Sequence, residues 1–189
     1  MLLYQKRFGE AYEQEKRAIS IDPYSRVINN MTAGLLAILG KKDEAMERYR
    51  QIIEIYPDSA AVYGWKAGVH AWFSEHDLAI EEAKKAFDLD KNLWLESILA
   101  WTHALAGKSN EAQEILDRMK SRAAKEYVPP VWIALVKLAL GRSDEGYRWL
   151  EKAIAERDSS LLYFASLPWF EEYRQDPKWE KIEAHIGLR

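Results

Sequence analysis

The sequence predicts an all-α protein, a solenoid of about four and a half helical hairpins closed by a C-terminal capping segment. Three periodic series predict it. Small residues that follow an acidic residue recur at Ala11, Ala45, Ala79, Ala112 and Gly146, spaced 34, 34, 33 and 34 apart. A second series, Ala33, Ala67, Ala100 and Ala134, runs in the same register, and a third, Gly40, Ser74, Gly107 and Gly141, falls between the other two. Three series on one period mark one supersecondary unit stacked repeatedly on its neighbours.

The units run in order along the chain. Residues 5–23 read as the second helix of a half repeat whose first helix is missing or vestigial, and full units come next at 26–59, 60–92, 93–126 and 127–158. In each, a first helix centres on an Ala of the second series, where a small side chain lets the paired helix approach closely. The Gly or Ser of the third series ends that helix in a left-handed conformation. The Asp, Asn or Ser just after it is expected to cap the second helix, with acidic residues at its positive end. The second helix is amphipathic, as in Ala45, Tyr49, Ile52 and Ile53. It stops at Tyr56-Pro57-Asp58 and, one unit earlier, at Ile21-Asp22-Pro23, because Pro cannot continue a helix. Leu89-Asp90-Lys91 is a third copy of the stop, with Lys in place of Pro.

Composition narrows the function classes. The chain has 189 residues, 48% hydrophobic and 30% charged, as in an ordinary folded protein. A net charge of −3 argues against direct nucleic-acid binding. The absence of Cys excludes disulfides, thiolate chemistry and Cys-based zinc sites. Neither a signal peptide nor a membrane span is legible, because the apolar runs Thr32–Gly40 and Val131–Gly141 are too short and Lys137 interrupts the second. The expected location is cytoplasmic.

These residues resemble the tetratricopeptide repeat family. Ala45, Tyr49, Ile52 and Pro57 match its second-helix pattern. Tyr63, Ala67, Ala79, Ala83 and Ala86 match it in the next unit, Ala100, Gly107 and Ala112 in the third, and Ala134, Gly141, Leu150 and Ala153 in the fourth. Glu15, Ser74, Lys91 and Gly146 depart from it. The resemblance implies a right-handed α-α superhelix that binds protein or peptide on its concave face.

The tail, 159–189, is read as a cap with a short helix near 177–186. Leu167-Pro168-Trp169-Phe170, Arg174-Gln175-Asp176-Pro177-Lys178-Trp179 and Gly187-Leu188 resemble the closing segment of repeat regions in prokaryotic signalling proteins, among them adenylate cyclases, Ser/Thr kinases and winged-helix regulators. Asp176 is expected to cap the short helix, with Pro177 at its first position and Trp179, Ile182 and Ile186 forming its apolar stripe. On this reading the native C-terminus is present. The other end opens within or just before a second helix. It is therefore expected either to continue from an upstream part of a larger signalling protein or to be covered by Met1–Tyr4 and a second copy, as a homodimer.

No catalytic set is legible: there is no phosphate loop, no Gly-x-Ser-x-Gly turn and no metal-spaced His cluster. No enzyme activity, metal or cofactor is therefore expected. His70 and His103 fall at equivalent positions of first helices and read as core residues with one satisfied nitrogen, or as a pH-sensing or metal-binding pair. Acidic runs such as Glu10–Glu15 and Glu81-Glu82 read as solvated helix faces.

The tryptophans are the candidate site. Trp65 and Trp72, and likewise Trp94 and Trp101, are seven apart and so share a helical stripe, and Trp132 repeats the position of Trp65. In the family these positions face the concave groove. Each ring can bury roughly 150–250 Å². Several open rings would exceed what a soluble monomer tolerates, so a partner, the chain's own tail or a second copy should cover them. The alternative is packing between repeats. Of the residues at the family's carboxylate-clamp positions (Asn30, Met31, Gly34; Gly64, Trp65, Gly68; Ser97, Ile98, Trp101), only Asn30 fits, which disfavours a terminal carboxylate. The expected site is thus Asn30, Trp65, Trp72, Trp94, Trp101 and Trp132, holding an apolar or aromatic peptide. A second possibility is a regulatory sensor domain that stacks a small effector between these rings.

Overall fold

The computed structural model describes residues 2–187. Met1 and Leu188, at the two ends of the patterns above, lie with Arg189 outside the described residues. Among the described residues the chain is helical, without strands. It divides into two compact units, 1–90 and 91–189. The division falls at the Asp90-Lys91 stop.

Unit 1 contains α1 (Phe8–Ile21), α2 (Arg26–Ile38), α3 (Lys42–Ile55), α4 (Ala60–Trp72) and α5 (His76–Leu89). α2 pairs with α3 and α4 with α5, α1 packs on α2, and the first helices α2 and α4 lie against each other. Ala33, Ala45, Ala67 and Ala79 are fully buried at the crossings. There the methyl-sized side chains leave room for the partner backbone, which fixes how deeply each hairpin nests. Around them Leu36, Tyr49, Ile52, Val62 and Val69 form one core, with Tyr12 of α1 packed on it.

Unit 2 contains α6 (Leu93–Leu105), α7 (Ser109–Ala123), α8 (Pro130–Ala139) and α9 (Ser143–Ala155), then α10 (Ser159–Ser166), a 3-10 helix (Pro168–Gln175) and α11 (Pro177–Ile186). α6 pairs with α7, α8 with α9, and α6 packs on α8. The closing segment is therefore three short helical pieces, of which the sequence pattern distinguishes only the last. α11 packs on α9, and its Trp179 and Ile182 are buried there. Asp176 accepts a hydrogen bond from the Lys178 amide at 2.9 Å, and Pro177 occupies the first helical turn.

Each first helix ends as the turn residues predict. Gly40, Gly107 and Gly141 have φ of 77°, 73° and 72°, and Ser74 joins them at 58°. The next amide reaches five residues back: Lys41 N–H donates to the Leu36 carbonyl at 2.9 Å, and Glu75 N–H to that of His70 at 2.9 Å. This Schellman closure satisfies carbonyls that the helix end leaves open.

The starts of the second helices differ from the expectation. Their N-caps are Lys41, Glu75, Lys108 and Arg142, none with a side-chain capping bond. The residue after the left-handed turn position is already the N-cap, so Asp43, Asp77, Glu111 and Asp144 fall inside the first turn. They act there on the helix dipole rather than by capping. Side-chain caps occur instead at Asn92, which accepts from Leu95 N–H at 3.0 Å, and at Asp158 and Asp176.

Gly146 departs from the small series for a local reason. A Cβ there would meet the Leu138 side chain at 2.6 Å. The residues equivalent to Leu138 in the other repeats are Ala37, Ala71 and Ala104, and those equivalent to Gly146 are Ala45, Ala79 and Ala112. At this crossing the larger side chain moved to the first helix and the second helix gave up its methyl.

Candidate partner-binding surface

Within unit 1, α2 and α4 lie side by side and carry Asn30, Trp65 and Trp72. Residues 62–64 and 67–71 of α4 are buried, while Trp65 and Trp72 are half-buried. Trp65 packs against the core with one side, and Trp72 lies on Phe73 with ring centroids 6.0 Å apart and planes within 16°. Ring surface on one stripe of α4 thus stays in contact with water. Asn30 is half-buried, and its buried side-chain Oδ1 accepts no hydrogen bond among the described residues. Its neighbour Asn29 is fully employed. Its amide nitrogen donates to the carbonyls of Pro23 and Ser25 at 2.9 and 2.8 Å, and its oxygen accepts from Arg48 at 3.2 Å. Asn29 therefore holds the α1–α2 loop, and Asn30 has spare acceptor capacity.

Within unit 2, α6 carries Trp94 and Trp101 and α8 carries Trp132. Trp94 and Trp132 are half-buried, whereas Trp101 is only 4% exposed. Trp101 is covered by Trp169 of the 3-10 helix, stacked at 4.8 Å between centroids with 29° between planes. Trp169 also lies 5.8 Å from Phe164 of α10. Of the three occupants considered for these rings, the chain's own tail takes this one. In the sequence Trp169 belongs only to the cap pattern, and nothing there connects it with Trp101. The Trp132 indole N–H is buried without an acceptor among the described residues.

The polar groups are structural in their geometry. His70 is buried, and its Nδ1 lies 2.9 Å from the Glu75 carboxylate, which also takes Lys42 at 2.6 Å. The hydrogen bonds from Lys42 and His70 hold the Glu75 carboxyl below its usual range. His103 is half-buried, and burial lowers its pKa, against the pull of Glu111. In unit 2 two buried charges are satisfied from the second helices. Glu96 meets Arg118 at 3.3 Å and Arg122 at 3.0 Å, and Lys137 pairs with Glu145. No group of three or more His, Cys, Asp or Glu suited to a metal ion occurs among the described residues.

A surface not anticipated from sequence lies on the α2–α3 side of unit 1. There a cavity of about 170 Å³ is bordered by Tyr24, Arg26, Arg48 and Ile55. Tyr24 and Val27 are among the most exposed large apolar side chains described.

Known proteins share this architecture. A tetratricopeptide repeat family model matches residues 32–59, from the middle of α2 through α3 to the stop beyond it. The fold is similar to that of TTC0263, a thermophilic TPR protein of Thermus thermophilus, with a TM-score of 0.65, 21% identity and 85% and 90% of the two chains covered. It is also similar to two structures of MamA, both 18% identical. Their TM-scores are 0.50 and 0.51, with 81% and 84% of this chain and 90% and 87% of theirs covered. No curated protein matches the sequence. No helix among the described residues is long and apolar enough to cross a membrane. The chain carries a tetratricopeptide repeat at residues 32–59 and has the all-α fold of solved tetratricopeptide-repeat proteins.

Proposed function

We propose that this chain is a protein-interaction module that holds an apolar or aromatic peptide segment against its first helices. The tetratricopeptide fold generally mediates protein–protein contact, and the observation that supports a peptide of this chemistry is the α4 stripe. Trp65 and Trp72 keep ring surface open to water while residues 62–64 and 67–71 of that helix are packed. Covering such rings supplies apolar burial at about 25 cal/mol per Å², before ordering costs are subtracted. The likeness of the tail to the closing segments of prokaryotic signalling proteins supports a place in a signalling or regulatory protein acting in the cytoplasm.

The test is selection from a displayed random-peptide library on the whole chain. Recovered peptides should carry aromatic or aliphatic anchors. They should lose at least thirtyfold in affinity on Trp65→Ala/Trp72→Ala, a loss of about 2 kcal/mol, as expected of a hot spot. If the same peptides bind the folded double variant unchanged, the assignment of this face is wrong.

A further inference from the structure

We infer that Trp169 is a built-in ligand: its ring lies on Trp101 of α6 as a partner's aromatic side chain would, so a partner docking at Trp101 must displace it. This deepens the proposed function and rests on it. It names the partner class for unit 2 as a peptide that presents one aromatic ring to Trp101.

Three observations carry the inference. The first is reach. Trp101 belongs to the hairpin α6–α7, and Trp169 comes only after the whole of α8–α9 and α10. A terminal helix that merely closed the stack would rest on the last hairpin, as α11 does on α9. Trp169 instead extends past that hairpin to a ring of the preceding one.

The second observation is a division of labour between neighbours. Phe170 is fully buried and stacks on Trp179 of α11 at 5.1 Å. The cap is further clasped by Arg174, which donates to the Ala165 carbonyl at 2.7 Å and pairs with Glu171 at 2.7 Å and with Glu183. Lys178 pairs with Asp144 of α9 at 2.5 Å. Trp169 is half-buried, and its described ring contacts are with Trp101 and Phe164. The cap therefore has anchors that do not depend on Trp169.

The third observation is chemistry. Offset stacking between two indoles is reproduced by any aromatic side chain offered in the same place, so the contact can be exchanged for an equivalent one from another chain. Proline before the ring pre-orders the backbone, which lowers the ordering cost of docking.

The experiment uses the full chain and a synthetic peptide of residues 163–175 carrying a fluorophore. Trp169→Ala should bind this peptide at least tenfold more tightly than the parent chain, because its α6 face is vacant. Trp169→Phe, which keeps a ring in place, should behave as the parent. The peptide with Ala in place of its Trp should not bind, and adding Trp101→Phe to Trp169→Ala should leave binding within a few fold. Equal affinity of parent and Trp169→Ala overturns the inference, as does binding that ignores the peptide's Trp. The library selection on unit 1 does not involve Trp169, so failure here and failure of the proposed function are distinguishable.

Discussion

Unit 1 and unit 2 are built from the same hairpin, yet their tryptophans meet different fates. On α4 of unit 1, Trp65 and Trp72 keep part of their rings in water. On α6 of unit 2, Trp101 occupies the same inner stripe but is closed off by Trp169. Part of the difference is register, because Trp101 is the counterpart of Gly68, which is buried in unit 1, and not of Trp65 or Trp72. The rest comes from the closing segment beyond the repeats: unit 2 contains a cap whose 3-10 helix brings Trp169 onto Trp101. Sequence position within a repeat decides which way a tryptophan points, and an element far along the chain decides whether it is available.

The polar interiors differ in the same sense. Unit 1 places Asn29 and His70 at first-helix positions where unit 2 places Glu96, His103 and Lys137. Asn29 and His70 are satisfied by loop carbonyls, Arg48 and Glu75. The buried charges of unit 2 need full ionic partners from α7 and α9. Removing one partner would leave an uncompensated charge.

The most severe test of this contrast is truncation of one ring in each unit. Trp101→Ala removes an almost fully buried side chain and should cost about 3–5 kcal/mol, whereas Trp65→Ala, only partly buried at the start, should cost about 1–2 kcal/mol. Urea unfolding of both variants checks it, and equal costs would break the comparison. A second, smaller effect separates the helix crossings. Gly146→Ala in unit 2 forces a methyl into the Leu138 side chain and should lose about 1 kcal/mol net, since overpacking of about 1–3 kcal/mol outweighs the better helix propensity of Ala. In a Leu138→Ala background, which restores the Ala–Ala crossing of unit 1, the same change should be neutral or stabilising. The coupling is read from the four chains of that double-mutant cycle, and its absence would mean that Leu138 is not the reason for the glycine. The smallest expected effect lies at the turns. Ser74 in unit 1 adopts the left-handed conformation that Gly107 and Gly141 adopt in unit 2. Ser74→Gly relieves a cost of about 1–2 kcal/mol but frees the unfolded chain, for a net gain of about 0.5 kcal/mol and a melting temperature about one or two degrees higher.

Much of the fold is legible in the sequence because it is local. Pro57 and Pro23 stop helices through their own rings, Gly40 and Gly141 turn the chain through the missing Cβ, and Ala33 and Ala67 report the depth of a helix crossing by size alone. Ser74 reads correctly from its register even though its residue type is unfavourable. The capping roles given to the acidic residues of the second helices do not read correctly. A one-residue shift between the turn position and the helix start converts an N-cap into a first-turn residue, and residue type alone does not distinguish the two. Gly146 is visible as a departure, but its cause is visible only where Leu138 packs on it.

The candidate site is legible in part. The spacing of Trp65 from Trp72 and of Trp94 from Trp101 places each pair on one stripe, as any α-helix requires. That Asn29 is spent on a loop while Asn30 is not depends on carbonyls that only the folded turn brings within reach.

The sequence by itself determined the period, the hairpins and their stops, because each of these arises from backbone sterics and side-chain volume within a few residues. Only the tertiary structure decided which aromatic rings meet another ring and which meet water. Burial is a property of whatever lies opposite, and for Trp101 that is a residue of the closing segment, set there by Phe170, Arg174 and α11.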